Sequence, residues 1–190
     1  MDKSKQVLGE LEKLAEKNFI PSIGPVKGKI IENIIKEHKT KKILEIGTLF
    51  GYSAILMARL LPTNGKVVTI EINPSYANVA RKNIIKAGLS NKIEVIVGDA
   101  LDVIPKLKEK FDLLFIDATK EEYFNYLKLA EKNLRKGSVV IADNVGIFEK
   151  YMQDYLNYVR NSGKYKSETI KTKLEFSDFE DAIEISIKLD

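Results

Sequence analysis

The sequence predicts an α/β fold: a doubly wound, mostly parallel sheet with helices on both faces and an antiparallel edge strand. The first observation is a regular alternation, from residue 42 onward, of short apolar, β-branched runs with stretches of helical periodicity. Strands that alternate with helices form parallel sheets covered on both faces. The second observation is that the last two apolar runs, over residues 166–176 and 182–189, have no helix between them. We therefore expect these runs to pair antiparallel at a sheet edge.

The predicted elements follow the apolar spacing along the chain. Apolar residues at helical spacing predict a helix over residues 3–17, and isoleucines on one face predict a second helix over residues 28–38 after an irregular connector. The β-branched runs predict five strands, over residues 43–46, 67–72, 93–97, 113–116 and 139–142. A further helix is expected over residues 148–161, and an acidic turn over residues 177–181 joins the last two strands.

The composition fits one globular domain and excludes several kinds of site. The 190 residues are 44% hydrophobic, with a single His and no Cys. Disulfides, thiolate zinc sites and cysteine nucleophiles are therefore excluded, and His38 alone makes no multi-histidine metal site. We expect one domain over residues 1–190, in which N-terminal helices over residues 1–38 cover the functional site and the core spans residues 42–190.

The charge pattern favours a mixed-charge surface over a nucleic-acid interface. The net charge is +4, but lysines are interleaved with glutamates along nearly the whole chain and arginine is scarce. The first residues contain no apolar leader, and no run approaches the roughly 18 apolar residues that a membrane span needs. The sequence therefore predicts a cytoplasmic protein with no membrane partner.

The segment over residues 42–53 has the outline of a cofactor loop. A buried strand runs into a turn that contains Gly47 and Gly51, and a helix follows, so backbone N–H groups face the carboxyl edge of the sheet. A dinucleotide fingerprint would need glycine where Leu49 and Tyr52 stand, which argues against a nicotinamide dehydrogenase. The alternative is that the two glycines only shape a tight turn.

Glu71 ends the next strand, where an acidic side chain can accept hydrogen bonds from both hydroxyls of a ribose. The alternative is a solvated glutamate at a strand end.

Oxygen ligands follow two later strands. Asp117 ends one apolar run, and Asp143 and Asn144 end another, so all three are expected at the edge that carries Glu71. Such ligands suit a hard cation, and their small number favours Mg²⁺ over Ca²⁺. The alternative is that Asp143 or Asn144 caps a helix. Lys120 lies one turn after Asp117, and a lysine beside another positive centre is suited to act as a general base. The alternative for Lys120 is an ordinary surface charge.

Several segments, in their order and spacing over residues 19–189, carry a family resemblance. They are Lys27-Gly-Lys-Ile-Ile, Glu45-Ile-Gly, Gly51-Tyr-Ser-Ala, Met57-Ala-Arg-Leu-Leu, Ile70-Glu-Ile-Asn-Pro, Ile104-Pro-Lys-Leu-Lys, Arg135-Lys-Gly and Ala142-Asp-Asn-Val. With them the sequence resembles the Mg²⁺-dependent, S-adenosylmethionine-using O-methyltransferases of the catechol and caffeoyl-CoA group, and most of all the animal catechol enzyme. The resemblance implies a class I, Rossmann-like methyltransferase fold.

The resemblance also implies roles for individual residues. The residues implied to bind S-adenosylmethionine are Ile23, Glu45, Gly47, Tyr52, Ser53, Glu71, Ile72, Asp99, Ala100 and Asp117. Those implied to hold Mg²⁺, or another divalent hard cation, are Asp117, Asp143 and Asn144, and Lys120 matches the general base. The residues implied to contact the acceptor are Phe19, Pro21, Lys120, Asn144 and Glu175.

The implied reaction is methyl transfer to a hydroxyl of a small, catechol-like aromatic acceptor. Ala118 and Thr119 replace a histidine and a tryptophan of the animal enzyme, so the aromatic clamp on the acceptor is partly missing. One alternative is a tRNA hydroxyuridine O-methyltransferase of the same fold group, and another is a non-catalytic nucleoside-binding module. The helix over residues 3–17 either caps the monomer or joins a homodimer.

Overall fold

A computed structural model describes residues 2–190, and Met1, which the predicted domain includes, lies outside the described residues. The α-helices are α1 (Lys3–Asn18), α2 (Gly24–Glu37), α3 (Tyr52–Ala58), α4 (Pro74–Ala87), α5 (Ala100–Val103), α6 (Tyr123–Ala130) and α7 (Gln153–Asn161). The strands are β1 (Lys42–Ile46), β2 (Lys66–Glu71), β3 (Ile93–Val97), β4 (Phe111–Ile116), β5 (Leu134–Ala142), β6 (Tyr165–Lys173) and β7 (Glu180–Lys188). None of the helices in this described part is long and apolar enough to cross a membrane.

The strands form one sheet in the order β3-β2-β1-β4-β5-β7-β6. Neighbouring strands from β1 to β5 pair in parallel, whereas β7 runs antiparallel to both β5 and β6. This confirms the predicted fold class and the antiparallel pair at the edge. The chain reverses its direction of winding between β1 and β4, which is where ligands bind in open α/β sheets.

The core lies on both faces of the sheet. Neighbouring β1 residues Ile43 and Leu44 are both 0% exposed, yet they belong to two different apolar clusters. Side chains alternate along a strand, so each face carries its own cluster. The cluster with Ile43 includes residues of α1 to α4, and the cluster with Leu44 includes residues of α5 to α7.

Several element boundaries differ from the prediction; for example, β5 begins at Leu134 and not at residue 139, and β6 ends at Lys173 and not at residue 176. α2 begins at Gly24, earlier than residue 28, because Pro25 is tolerated in the first turn of a helix. A 3₁₀ turn, Glu149–Tyr151, precedes α7, so the helix expected from residue 148 begins at Gln153. The predicted acidic turn ends too late, since Asp181 lies inside β7 with only 3% of its surface exposed.

Candidate active site

One cavity of about 730 Å³ opens at the carboxyl ends of the parallel strands. Residues at or just beyond the ends of β1, β2, β4 and β5 line it, together with α1, the α1–α2 connector and the β6–β7 loop. Its volume lies within the roughly 300–1,000 Å³ of small-ligand pockets.

The cavity brings together nearly all of the residues predicted for the site. Those on its wall are Phe19, Pro21, Ile23, Gly47, Tyr52, Ser53, Glu71, Ile72, Asp99, Ala100, Asp117, Lys120, Asp143, Asn144 and Glu175. Glu45 is the exception: it is fully buried in β1 and does not line the cavity. The cofactor contact that the resemblance implies for Glu45 stays a prediction.

The turn after β1 packs directly against the segment after β4. Gly47 has a φ of 97°, and a Cβ there would lie 2.0 Å from the carbonyl oxygen of Asp117. Only glycine fits both constraints, since the backbone of Asp117 cannot swing aside as a side chain would. Gly47 therefore does more than shape a tight turn, because it lets the β1 loop approach Asp117.

Glu71 ties the β1 loop to the end of β2. Its Oε2 accepts hydrogen bonds from the backbone N–H groups of Thr48 (3.1 Å) and Leu49 (2.7 Å), and its Oε1 accepts one from Asn73 N (2.9 Å). Glu71 is 6% exposed and lines the cavity, so it is not a solvated strand end. Each carboxylate oxygen can accept a further hydrogen bond from a ligand.

Glu45 is a buried acid beneath the loop. Within residues 2–190, neither of its carboxylate oxygens has a hydrogen-bond partner, although the hydroxyls of Ser53 and Thr69 lie nearby. Burial raises the pKa of Glu45 to about 8, and the charges of Asp117 and Glu71 add to the effect. The protonated form therefore predominates at neutral pH.

Lys120 is held by two partners. Its Nζ donates to Asp117 Oδ1 at 2.9 Å and to the hydroxyl of Tyr123 at 2.8 Å. The hydroxyl of the fully buried Tyr123 donates in turn to the carbonyl oxygen of Asp143 at 3.2 Å. The side chain of Lys120 is only 16% exposed, so this lysine is not an ordinary surface charge.

Asp143 and Asn144 follow β5 and are 2% and 8% exposed. Neither caps a helix, since the next helical turn begins only at Glu149. The ammonium group of Lys27 lies 2.7 Å from Asp143 Oδ1 and donates to Asp181 Oδ2 at 2.6 Å. Burial raises the pKa of Asp143 to about 6; the charge of Asp117 raises it further, and the charge of Lys27 opposes both.

The oxygen atoms around Asp143 are of the chemical kind that a hard divalent cation prefers as ligands. Asp143 Oδ1 is buried without a hydrogen bond in the described part of the chain, despite its ion pair with Lys27. Asn144 donates through Nδ2 to Asp181, which directs its amide oxygen elsewhere. The described residues contain no group of three or more His, Cys, Asp or Glu side chains placed to hold a metal. The candidate ligands are therefore two carboxylates, Asp117 and Asp143, and the amide oxygen of Asn144. Few protein ligands of this kind suit Mg²⁺, which keeps positions for water or substrate.

The α1–α2 connector and the β6–β7 loop line the cavity mainly with apolar residues, and their polar lining residues are Ser22, Glu175 and Ser177. Glu175 packs against the start of α2: a Cβ on Gly24, whose φ is 56°, would lie 2.1 Å from Glu175 Cδ. Burial raises the pKa of Glu175, and the charge of Lys27 opposes this. Phe19 is 84% exposed at the rim.

Sequence reasoning missed several residues of the site. Four further phenylalanines line the cavity, namely Phe50, Phe148, Phe176 and Phe179. Sequence reasoning also gave no role to Tyr123, Lys27 or Asp181. Lys27 stands in the Lys27-Gly-Lys-Ile-Ile segment that carries the resemblance, which was the one available signal.

The chain is similar to known O-methyltransferases in sequence and in fold. Residues 2–162 match a family model described as O-methyltransferase. Catechol O-methyltransferase B of Danio rerio is 42% identical over 175 residues, which cover 88% of this chain and 66% of that protein. The O-methyltransferase TomG from Streptomyces achromogenes, solved in complex with SAM, has a TM-score of 0.87 at 27% identity over 97% of this chain and 90% of that chain. The O-methyltransferase from Bacillus cereus, solved in complex with SAH, has a TM-score of 0.86 at 29% identity over 99% of this chain and 91% of that chain.

The chain spans about two thirds of the length of the curated relatives it matches, with shares of 66%, 67% and 64% for three catechol O-methyltransferases. The family model nevertheless covers residues 2–162, and the solved relatives are covered almost completely. As the resemblance predicted, the chain belongs to the O-methyltransferase family.

Proposed function

We propose that the protein is an S-adenosylmethionine- and Mg²⁺-dependent O-methyltransferase that acts on a hydroxyl of a small aromatic acceptor with two adjacent hydroxyls. One observation carries the proposal: a single cavity holds a glycine loop braced by Glu71 together with Lys120 and the oxygen donors that follow β4 and β5. Family membership and the solved relatives in complex with SAM and SAH support the same activity.

The nucleoside end of the cavity is suited to S-adenosylmethionine. Glu71 carries free acceptor capacity for the ribose hydroxyls. Ile72, 68% exposed, and Tyr76, 41% exposed, offer apolar surface for the adenine, and Phe50 supports the Tyr76 ring edge to face at 5.4 Å. Asp99 caps α5 through Leu101 N at 2.8 Å, which fixes the turn that lines this end.

The opposite end of the cavity is suited to the acceptor and its proton. Asp117, Asp143 and Asn144 would hold the cation, which supplies a positive centre that lowers the pKa of the two acceptor hydroxyls. Lys120 would take the proton of the reacting hydroxyl at Nζ, from a position set by Asp117 and Tyr123. As the oxygen–carbon bond forms, the bond from sulfur to the methyl carbon breaks, and S-adenosylhomocysteine leaves.

The cavity walls contribute mainly by positioning. Holding the acceptor oxygen in line with the methyl carbon removes much of the entropic part of the barrier. Phe19, Phe148, Phe176 and Phe179 surround the acceptor end and would exclude water from an aromatic ring.

The test is transfer of labelled methyl from S-adenosylmethionine to caffeate, with Mg²⁺ and again with a chelator. We expect metal-dependent product. If the protein binds the cofactor and methylates tRNA but not caffeate, the acceptor is tRNA and not a small aromatic molecule. Cofactor binding with no transfer to either would leave a nucleoside-binding module.

Contacts within the chain favour the capping alternative for the first helix. Glu12 accepts a hydrogen bond from Tyr52 Oη at 2.6 Å, Glu10 pairs with Lys86 on α4, and Leu11 and Ala15 line the cavity. We propose that α1 and α2 cover the active site of a single domain. A homodimer and a cytoplasmic location stay predictions, which light scattering and cell fractionation would test.

A further inference from the structure

A buried ionic cluster lies behind the proposed cation site. Lys27 on α2 is 1% exposed and Asp181 on β7 is 3% exposed, and the two residues are 154 positions apart in the chain. Neither side chain lines the cavity. Burying charges costs free energy that is recovered only when the geometry and the hydrogen bonds are good. A cluster of this kind at the back of a site therefore calls for a specific role.

Asp181 braces the loop that carries the proposed ligands. Its Oδ2 accepts hydrogen bonds from Lys27 Nζ at 2.6 Å and from Asn144 Nδ2 at 2.8 Å, and its Oδ1 accepts one from Ile147 N at 3.1 Å. The loop also joins β7 through a hydrogen bond from Val145 N to Ala182 O at 3.0 Å. One carboxylate thus contacts both ends of the segment from Asn144 to Ile147.

The contact with Asn144 decides which end of its amide can serve a cation. Asn144 has a φ of 60°, a left-handed conformation that Asn adopts more readily than most non-glycine residues. Because Nδ2 donates to Asp181, Oδ1 is the amide atom left for the cavity. An unrestrained amide could turn its NH₂ group toward a cation and repel it.

Lys27 acts on the second ligand. Its ammonium group lies between Asp143 Oδ1 at 2.7 Å and Asp181 Oδ2 at 2.6 Å. Because two carboxylates share one ammonium group, Lys27 neutralises the negative charge of Asp143 only in part. The remaining charge can attract a cation. If Asp181 lost its charge, Lys27 would pair with Asp143 alone and would draw this ligand away from the cavity.

From this arrangement we infer that Lys27 and Asp181 are positioning residues for the cation site, fixing the Asp143 carboxylate and orienting the Asn144 amide. The inference rests on the proposed function, because it presumes that a divalent cation binds Asp117, Asp143 and Asn144. It adds that cation affinity depends on two residues that touch neither the cation nor the substrates. Partners of metal ligands typically change metal affinity by about 10–100-fold when they are mutated.

The test measures Mn²⁺ binding by calorimetry and electron paramagnetic resonance, and S-adenosylmethionine binding by calorimetry, for the wild type, Asp181→Asn, Asp181→Glu and Glu184→Gln. Glu184 is the matched control, since it is also a buried acid on β7 but pairs with Arg160. We expect both Asp181 variants to weaken Mn²⁺ binding about 10–100-fold while S-adenosylmethionine affinity is unchanged. The control should bind Mn²⁺ like the wild type.

The variants separate position from charge. Asp181→Glu retains the negative charge but moves the carboxylate, so wild-type Mn²⁺ affinity in this variant would overturn the inference. If Asp181→Asn does not fold, the Mn²⁺ affinity of Asp181→Glu alone tests whether Asp181 positions the cation ligands. Equal losses in Asp181→Asn and Glu184→Gln would likewise overturn it, since the effect would then be general to buried acids of β7. A wild-type protein that binds no Mn²⁺ would instead refute the cation in the proposed function.

Discussion

Gly47→Ala should damage both the stability and the ligand site of this protein. Alanine at a φ of 97° costs about 1–2 kcal/mol, because the Cβ meets its own backbone in this conformation. The added Cβ would also lie 2.0 Å from the carbonyl oxygen of Asp117. Relieving such overpacking costs about a further 1–3 kcal/mol and has to separate the β1 loop from the Asp117 segment.

Gly88→Ala is the matched control. Gly88 has a φ of 73°, but a Cβ there would meet no atom within 4 Å, so this variant carries the conformational cost alone. The expected loss in the free energy of unfolding is therefore about 2–5 kcal/mol for Gly47→Ala and about 1–2 kcal/mol for Gly88→Ala. For a chain of this size, 1 kcal/mol corresponds to about 2–4 °C in Tm.

Urea denaturation measures the stabilities, and calorimetry measures S-adenosylmethionine affinity. We expect Gly47→Ala to lose most of its cofactor affinity, because the loop amides that Glu71 orients must move, and Gly88→Ala to keep it. Equal stability losses together with intact cofactor binding in Gly47→Ala would refute the argument that the loop and Asp117 are packed as one unit.

Three further predictions concern ionisable residues that line the cavity or lie beneath the β1 loop. Lys120→Met should lower the single-turnover rate of methyl transfer by about 10²–10⁴-fold with little change in cofactor affinity, and an unchanged rate would remove Lys120 as the base. Asp143→Ala should abolish Mg²⁺-dependent turnover and Mn²⁺ binding but leave S-adenosylmethionine binding in place; undiminished Mn²⁺ binding would contradict its role as a ligand. Because burial raises the pKa of Glu45 from 4.5 to about 8, the folded state retains a proton that the unfolded state releases in this range, so stability falls as the pH rises from about 5 to 8. Glu45→Gln should remove this slope of roughly 1 kcal/mol per pH unit in urea titrations, and identical pH profiles would place the titration elsewhere.

The sequence was sufficient for the sheet and for the outline of the site. Short β-branched runs separated by helical stretches specify parallel strands, because burial on both faces requires apolar residues throughout each strand. The carboxyl ends of parallel strands meet at one edge, so Glu71, Asp117, Asp143 and Asn144 were expected to converge, and they line one cavity. The family resemblance supplied the roles that periodicity alone does not indicate.

Contacts between distant segments were decided only by the tertiary structure. Lys27 on α2 and Asp181 on β7 form a hydrogen bond across 154 residues, a contact that no local pattern encodes. The sequence predicted an acidic turn that includes Asp181, because the neighbouring acidic residues Asp178 and Glu180 gave no sign that β7 begins at Glu180. The complete burial of Glu45 within β1, away from the cavity lining, was likewise not evident from the sequence. Local spacing determines which residues are buried, whereas the packing of helices on the sheet determines which of them meet.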